Sequence, residues 1–205
     1  MKAAVLLLIA ALAGCAAARA DRPALAAQQG WRAVAKPADR ARIGDWRKAW
    51  TEALRRARAA GHGSEIAREG ALLHPDAALT GAALPDGAYA CRVIKLGAQG
   101  EGGLHYVAYP RFACRIDRED GLQHFTKLTG SQRPTGHLFP ESDRRSVFLG
   151  TLILADESMA IRYGRDRERD MAGVVERIGP QRWRLVLPYP RFESLIDVVE
   201  LVPVA

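Results

Sequence analysis

From Pro85 to the C-terminus, the chain is divided into short apolar runs that recur about every ten residues. Glycine, proline and aspartate separate the runs, and the helical spacing of apolar residues is missing here. The candidate strands are Ala88–Leu96, Leu104–Ile116, Gln123–Leu128, Gly136–Phe139, Ser146–Leu154, Met159–Tyr163, Ala172–Ile178, Arg182–Leu187 and Leu195–Val202. Eight or nine short strands predict an antiparallel barrel or sandwich. A meandering barrel is favoured, because most links are short and closure removes exposed edges.

Two helices are predicted before the barrel, so the fold class is mainly β with N-terminal helices (α+β). The first runs from Asp39, placed to cap it, to Ala60, with Gly61 to end it. The second runs from Ser64 to Leu73. The predicted segments are a signal peptide at 1–14, a flexible tether at 15–38, helices at 39–84 and a barrel at 85–205. Residues 39–205 form a single folded domain in this interpretation.

The first predicted helix places tryptophans on one face and arginines on much of the remainder. Trp46 and Trp50 share the apolar face, while Arg47 and Arg55 lie among the basic positions. One hypothesis is a basic amphipathic helix that contacts the membrane or a partner through these residues. The alternative is a helix whose tryptophan face packs onto the barrel.

The N-terminus has the pattern of an export signal. Met1–Lys2 is followed by an apolar stretch from Ala3 to Gly14, shorter than the ~20 residues that span a bilayer. Leu12–Cys15 resembles the lipobox of bacterial lipoproteins, in which the cysteine carries the lipid. We therefore expect a lipoprotein held at the membrane through Cys15 and facing the periplasm. An alternative A-x-A cleavage site at Ala18–Ala20 would release a soluble periplasmic protein.

The charge balance is modestly basic. Without residues 1–14 the chain has 29 Lys and Arg against 23 Asp and Glu, a net charge of +6. The cations are interleaved with acids, whereas a nucleic-acid surface needs a basic stripe with stacking aromatics. Nucleic acid is therefore not an expected partner.

Cys91 and Cys114 remain once Cys15 is assigned to lipid, and an even number of cysteines fits an oxidising compartment. A two-residue turn at Gly102–Gly103 would place residues 91 and 114 opposite each other on paired strands. Side-chain alternation puts both on the core side. We predict a structural disulfide, with Pro110 able to force a bulge that shifts the register by one. The redox-active alternative lacks a C-x-x-C motif.

The segment from Lys127 to His137 is the most polar link between predicted strands. It has more glycines and hydrogen-bonding groups than a turn requires, and ligands often bind at loops around a barrel mouth. Lys127, Ser131, Arg133 and His137 are the candidate contacts for an anionic or polar ligand. The alternative is a long surface hairpin loop.

Signatures of catalysis are missing from the sequence. The histidines are scattered without metal-ligand spacing, and no G-x-S-x-G, phosphate-loop or dinucleotide motif occurs. We therefore predict no catalytic residue, no metal and no cofactor, and the question of enzymatic activity stays open, leaning towards none.

The tetrapeptide Tyr-Pro-Arg-Phe occurs at Tyr109–Phe112 and again at Tyr189–Phe192. Each copy follows a similar strand, which suggests two equivalent hairpins in a pseudo-symmetric barrel.

Four segments resemble the bacterial domain of unknown function 4893: Cys91–Gly97, Lys127–Pro134, Asp170–Gly173 and Leu187–Ser194. The resemblance covers roughly Trp46 to the C-terminus. The family has no established activity, so the resemblance assigns neither an activity nor a functional residue to this chain. More loosely, the predicted barrel is similar to lipocalin-like and avidin-like envelope modules, among them periplasmic protease inhibitors. That likeness concerns fold, from which function does not follow.

Three functions remain open. The first is a lipid-anchored, non-enzymatic module that binds a small molecule, a cell-wall fragment or an envelope protein. The second is a structural or assembly role, and the third is an envelope hydrolase. A cavity at the barrel mouth would favour the first.

Overall fold

A computed structural model describes residues 30–204. The predictions of a signal peptide and of lipid on Cys15 fall on residues that lie outside this range. In the part of the chain that is described, no helix combines the length and apolar character needed to cross a membrane.

Eight antiparallel strands form a closed barrel in which each strand pairs with its neighbours in sequence and β1 also pairs with β8. They are β1 (Gly87–Ala98), β2 (Tyr106–Glu119), β3 (Leu122–Lys127), β4 (Gln132–Pro140), β5 (Ser146–Leu154), β6 (Asp170–Gly179), β7 (Arg182–Pro188) and β8 (Ser194–Pro203). The predicted meandering barrel is confirmed. The ninth candidate, Met159–Tyr163, is not a strand but part of the long β5–β6 loop.

Cys91 and Cys114 form the predicted disulfide, with their Cα atoms 5.9 Å apart. The predicted register is wrong: Cys91 faces Phe112, so the two cysteines are diagonal neighbours. The β1–β2 link is a seven-residue loop at 99–105, because the Nδ1 atom of His105 accepts the Ala98 amide and ends the ladder early. The expected bulge is present, since β2 has one residue more than β1 around Pro110.

The helical segment differs from prediction at both ends. The helices are α1 (Trp31–Val34), α2 (Pro37–Gly44), α3 (Trp46–Ala59) and α4 (Gly63–Glu69), followed by a 3₁₀ turn at Gly70–Leu72. The flexible tether expected to reach residue 38 is therefore helical from Trp31 onwards. Pro37 begins α2, as its fixed φ favours, and the buried Asp39 contacts Tyr163 and Arg42 instead of capping. Ser64 lies inside α4 and caps nothing.

The helices pack on the outer surface of the barrel, across β1 and β6–β8. Trp50 is fully buried there, between α3 and outward-facing strand residues such as Ile94 and Val198. A second apolar cluster, which contains the disulfide and Trp183, fills the barrel interior. The protein thus has two cores that share the barrel wall.

The two ends of the barrel differ. The loops at 99–105, 128–131, 155–169 and 189–193 lie at one end, called here the mouth. Short turns lie at the other end, where Leu84 is buried in the interior cluster and its carbonyl accepts a hydrogen bond from Gln123. One end is therefore plugged and the other carries the longer loops.

Candidate functional site

The mouth opens into a cavity of about 320 Å³ inside the barrel, which we call the mouth cavity. This volume lies at the lower end of the range for small-molecule pockets, roughly 300–1,000 Å³. Much of its wall is apolar, with side chains from β1, β2, β4, β5, β6, β7 and β8: Val93, Phe112, Pro134, Leu152, Met171, Leu187 and Val199. Three charged side chains interrupt this wall inside the barrel: Lys95, Lys127 and Asp197.

Lys127, the last residue of β3, points inwards and is 3% exposed. Its ammonium donates to the carbonyl oxygens of Thr129 (2.7 Å) and Gln132 (2.9 Å). An ammonium has three N–H donors, so one has no oxygen acceptor in residues 30–204, and no carboxylate there lies within 4.0 Å. Burial, followed by the positive charges of Arg133 and Lys95, lowers the pKa of Lys127 to about 8.

The ring of Phe112 supports this ammonium, with Nζ 3.6 Å from the ring centroid. Gly130 lies over the same pair with a φ of +89°. A Cβ at this position would come within 2.7 Å of Lys127 Nζ and 2.9 Å of the Phe112 ring. The glycine is therefore required both by its backbone conformation and by this close approach.

Lys95, in contrast, has carboxylate partners. Its Nζ lies 2.9 Å from Asp197 and 3.1 Å from Glu193, and it also donates to the Gln132 side chain. Burial lowers the pKa of Lys95, but the two carboxylates outweigh it and raise the pKa above its ordinary value. Of the two lysines inside the barrel, Lys95 is therefore neutralised and Lys127 is not.

The structure separates the four ligand-contact candidates. Lys127 and Ser131 line the mouth cavity, whereas Arg133 and His137 do not. On β4 the even-numbered residues face inwards, so Arg133 and His137 face out. Arg133 instead donates to the carbonyls of Gly130, Ala155 and Glu157, which joins two mouth loops.

His137 pairs with His124 across the outer surface of β3 and β4, with ring centroids 5.0 Å apart. Both rings approach Glu119, at 3.5 Å and 3.4 Å. Residues 30–204 hold no group of three or more metal-ligating side chains arranged to bind a metal ion.

Trp46 and Trp50 are buried between α3 and the barrel, which is the packed-helix alternative. Arg47 and Arg55 remain exposed beside them and pair with Asp76 and Glu52. A membrane or partner contact by this helix would therefore have only its arginine side available.

Lys95, Asp197 and Phe112 were missed by the sequence analysis. The alternation that places Cys91 and Val93 inside the barrel also places Lys95 there, so that signal was present. Asp197 had no comparable signal, because its position depends on closure between β1 and β8.

The two Tyr-Pro-Arg-Phe copies are not equivalent hairpins. The first lies within β2 at the bulge, and the second forms the β7–β8 loop. Both copies nevertheless contribute side chains to the mouth cavity, Tyr109 and Phe112 from the first and Arg191 and Phe192 from the second.

No curated protein and no solved structure matches this chain. One protein-family model matches residues 31–201, from the first residue of α1 to within β8. By this match the chain belongs to the family described as Domain of unknown function (DUF4893).

Proposed function

We propose that this chain is an exported envelope protein whose barrel binds a small amphiphile. The apolar part of the ligand occupies the mouth cavity, and an oxygen acceptor such as a carboxylate or an ester contacts Lys127. The observation that carries this proposal is a buried lysine in a largely apolar cavity, without a carboxylate partner among residues 30–204.

The physical argument starts from the cost of burying a charge. An ammonium without a counter-ion is unfavourable in an apolar site, and two carbonyl oxygens compensate only part of that cost. A ligand oxygen would accept a hydrogen bond from the remaining N–H of Lys127, while an apolar chain would cover the cavity wall. Ligand binding would thus give the Lys127 ammonium the acceptor that the described residues do not supply.

The surface around the mouth supports an apolar ligand. Seven large apolar side chains are exposed in residues 30–204, and five of them lie on the mouth loops: Leu104, Leu128, Met159, Ile161 and Phe192. Single exposed apolar residues are common, but five at one end of the barrel place apolar surface around the entrance of the cavity.

Export is part of the proposal and rests on two features. The sequence at Leu12–Cys15 favours a lipid anchor, and the Cys91–Cys114 disulfide is typical of oxidising compartments. Mass spectrometry of the mature N-terminus would test it. A lipidated Cys15 supports anchoring, a start after Ala20 supports a soluble periplasmic protein, and an intact Met1 contradicts export.

Calorimetric titration with dodecanoate tests the binding proposal. We expect dodecanoate to bind and Lys127→Met to weaken it about tenfold or more, because a hydrogen bond to a charged group is lost. Affinity in the unmodified protein should fall above pH 8, where Lys127 loses its proton. The matched control is Lys48→Met, an exposed lysine on α3. Absence of binding, or equal affinity in both variants, contradicts the proposal and leaves a cell-wall fragment or protein partner to be tested.

A further inference from the structure

A second, wider cavity of about 1,230 Å³ lies beside the mouth, between α2 and the β5–β6 and β7–β8 loops. We call it the basic cleft. Its wall carries twice as many cations as carboxylates: Lys36, Arg42, Arg56, Arg165, Arg167 and Arg191 against Asp39, Glu168 and Asp170.

The basic cleft and the mouth cavity have a common wall. Glu168, Asp170, Pro190 and Arg191 line both. A ligand that extends out of the barrel on this side therefore meets the basic cleft directly. Lys127 lies on β3, which is three strands from β6 and four from β7 in the barrel, so the two sites would contact different parts of one ligand.

Three of the cleft cations have no partner in residues 30–204. The side chains of Lys36, Arg165 and Arg167 are exposed and make neither an ion pair nor a hydrogen bond there. The other three are engaged: Arg42 contacts Asp39, Arg56 contacts Glu52, and Arg191 contacts Glu168. The uncommitted positive charge is therefore concentrated on the outer part of the cleft.

The loop that carries Arg165 is held against α2 by polar contacts around Tyr163 and Gly164. Tyr163 donates to Asp39 (2.5 Å) and accepts the backbone N–H of Lys36 (3.0 Å). The Gly164 N–H donates to Asp170 (2.7 Å). Lys36 also packs over Gly164, where a Cβ would approach its Cε to 2.5 Å. Two of the free cations are thus attached to backbone of fixed position.

We propose that the basic cleft binds the phosphate monoester of the same amphiphile, whose acyl chain lies in the barrel and whose ester oxygen contacts Lys127. Arginine suits this role because its planar fork donates two parallel hydrogen bonds to phosphate oxygens. The ligand class is an acylglycerol phosphate. This inference rests on the proposed function and adds the second polar site.

Calorimetric titration with a matched ligand pair tests the inference. 1-Lauroylglycerol carries the chain and the ester, and 1-lauroylglycerol 3-phosphate adds only the phosphate. We expect the phosphate to increase affinity about tenfold, as charge-assisted hydrogen bonds should. The double variant Arg165→Gln/Arg167→Gln should lose that increase and bind 1-lauroylglycerol normally. The matched control is Arg144→Gln, an exposed arginine on the β4–β5 turn at the plugged end.

The outcomes separate the two proposals. If 1-lauroylglycerol binds but the phosphate adds nothing, or its effect survives the double variant, the cleft inference is overturned and the barrel site stands. If neither acyl ligand binds, the proposed function itself fails. Glycerol 3-phosphate alone should bind at least tenfold more weakly than the acylated phosphate. Equal affinity would make the cleft a site for free phosphate esters and overturn the link to the barrel.

Discussion

Arg184 and Lys127 are both buried cations, but their surroundings differ. Arg184 lies between the helices and the barrel, where Glu176 neutralises it at 2.6 Å and Trp50 stacks on it. Its remaining donors reach the carbonyls that end the helical segment: Ala71, Leu72, His74 and Pro75. Lys127, in the mouth cavity, has two carbonyl acceptors and, within the described part of the chain, no carboxylate.

The comparison distinguishes a buried charge that holds structure from one that is available to a ligand. At Arg184 every N–H group has an acceptor within the chain, so nothing is left for another molecule. At Lys127 the described residues supply two acceptors for three N–H donors, and the neighbouring space is a cavity. Substitutions at Arg184 should therefore affect stability, whereas changes around Lys127 should also affect ligand binding.

The largest effect is expected from Arg184→Met. It leaves the fully buried Glu176 with Arg145 alone and frees four carbonyls, so the free energy of unfolding should fall by about 3–5 kcal/mol. Urea denaturation measures this, with Arg144→Met as the exposed control. Arg184→Lys should give an intermediate loss if the methionine variant does not fold. A loss below about 1 kcal/mol in both would show that the Arg184 contacts do not hold the helices.

Loss of the disulfide should have the next largest effect on stability. Replacing Cys91 and Cys114 together with alanine opens a loop of 23 residues and should cost about 3 kcal/mol on the chain-entropy account. Dodecanoate affinity under folding conditions should stay within about twofold, because the bridge does not line the mouth cavity. A large loss of affinity would indicate that the bridge shapes the site.

The pH dependence of stability should identify Lys127. Its pKa is about 8 when folded and 10.5 ordinarily, so below pH 8 the cost of its buried charge is fully present. Between pH 8 and 10.5 the unfolded chain binds more protons, so stability should rise with pH by about 1–3 kcal/mol relative to Lys127→Met. Tyrosines titrate in the same pH range, but their contribution is the same in both proteins and cancels in the difference. A flat difference would mean that Lys127 pays no burial cost.

The smallest effect is expected at Gly130. Gly130→Ala introduces strain at positive φ and a contact with Lys127, so stability should fall by about 1–2 kcal/mol and dodecanoate should bind more weakly. Gly121→Ala is the matched control, since Gly121 has a similar φ of +80° and open space around its Cα. If both variants bind dodecanoate equally well, the close approach at Gly130 has no role in the site.

The barrel could be predicted from sequence because alternation and turn residues act locally. Strand β5 was predicted with its observed bounds, Ser146–Leu154, and the Cys91–Cys114 pair followed from side-chain parity. The predicted register is wrong because it assumes a tight turn, whereas the strands are joined by a seven-residue loop in which His105 Nδ1 accepts the Ala98 amide. Side chains alternate between the two faces of a strand, so a shift of two residues keeps both cysteines on the inner face. The disulfide prediction is therefore correct although the register is not.

The candidate site was only partly predictable. Lys127 ends β3 and Ser131 lies in the β3–β4 loop, so both follow from their place at the mouth, but Arg133 and His137 belong to a strand whose inward face was not assigned. The local sequence predicts Asp39 as a helix cap, because its actual partner Tyr163 lies 124 residues away in sequence. Contacts that depend on closure of the barrel, such as Lys95 with Asp197, leave no local pattern.

The central claim is that the ammonium of Lys127 is buried without a counter-ion until a ligand binds. Carbon-13 NMR titration of labelled lysines, with the Lys127 signal assigned by its absence in Lys127→Met, measures this directly. The account predicts a pKa of about 8 in the free protein, which moves upwards when dodecanoate is added. A pKa at its ordinary value of 10.5, unchanged by dodecanoate, would contradict it.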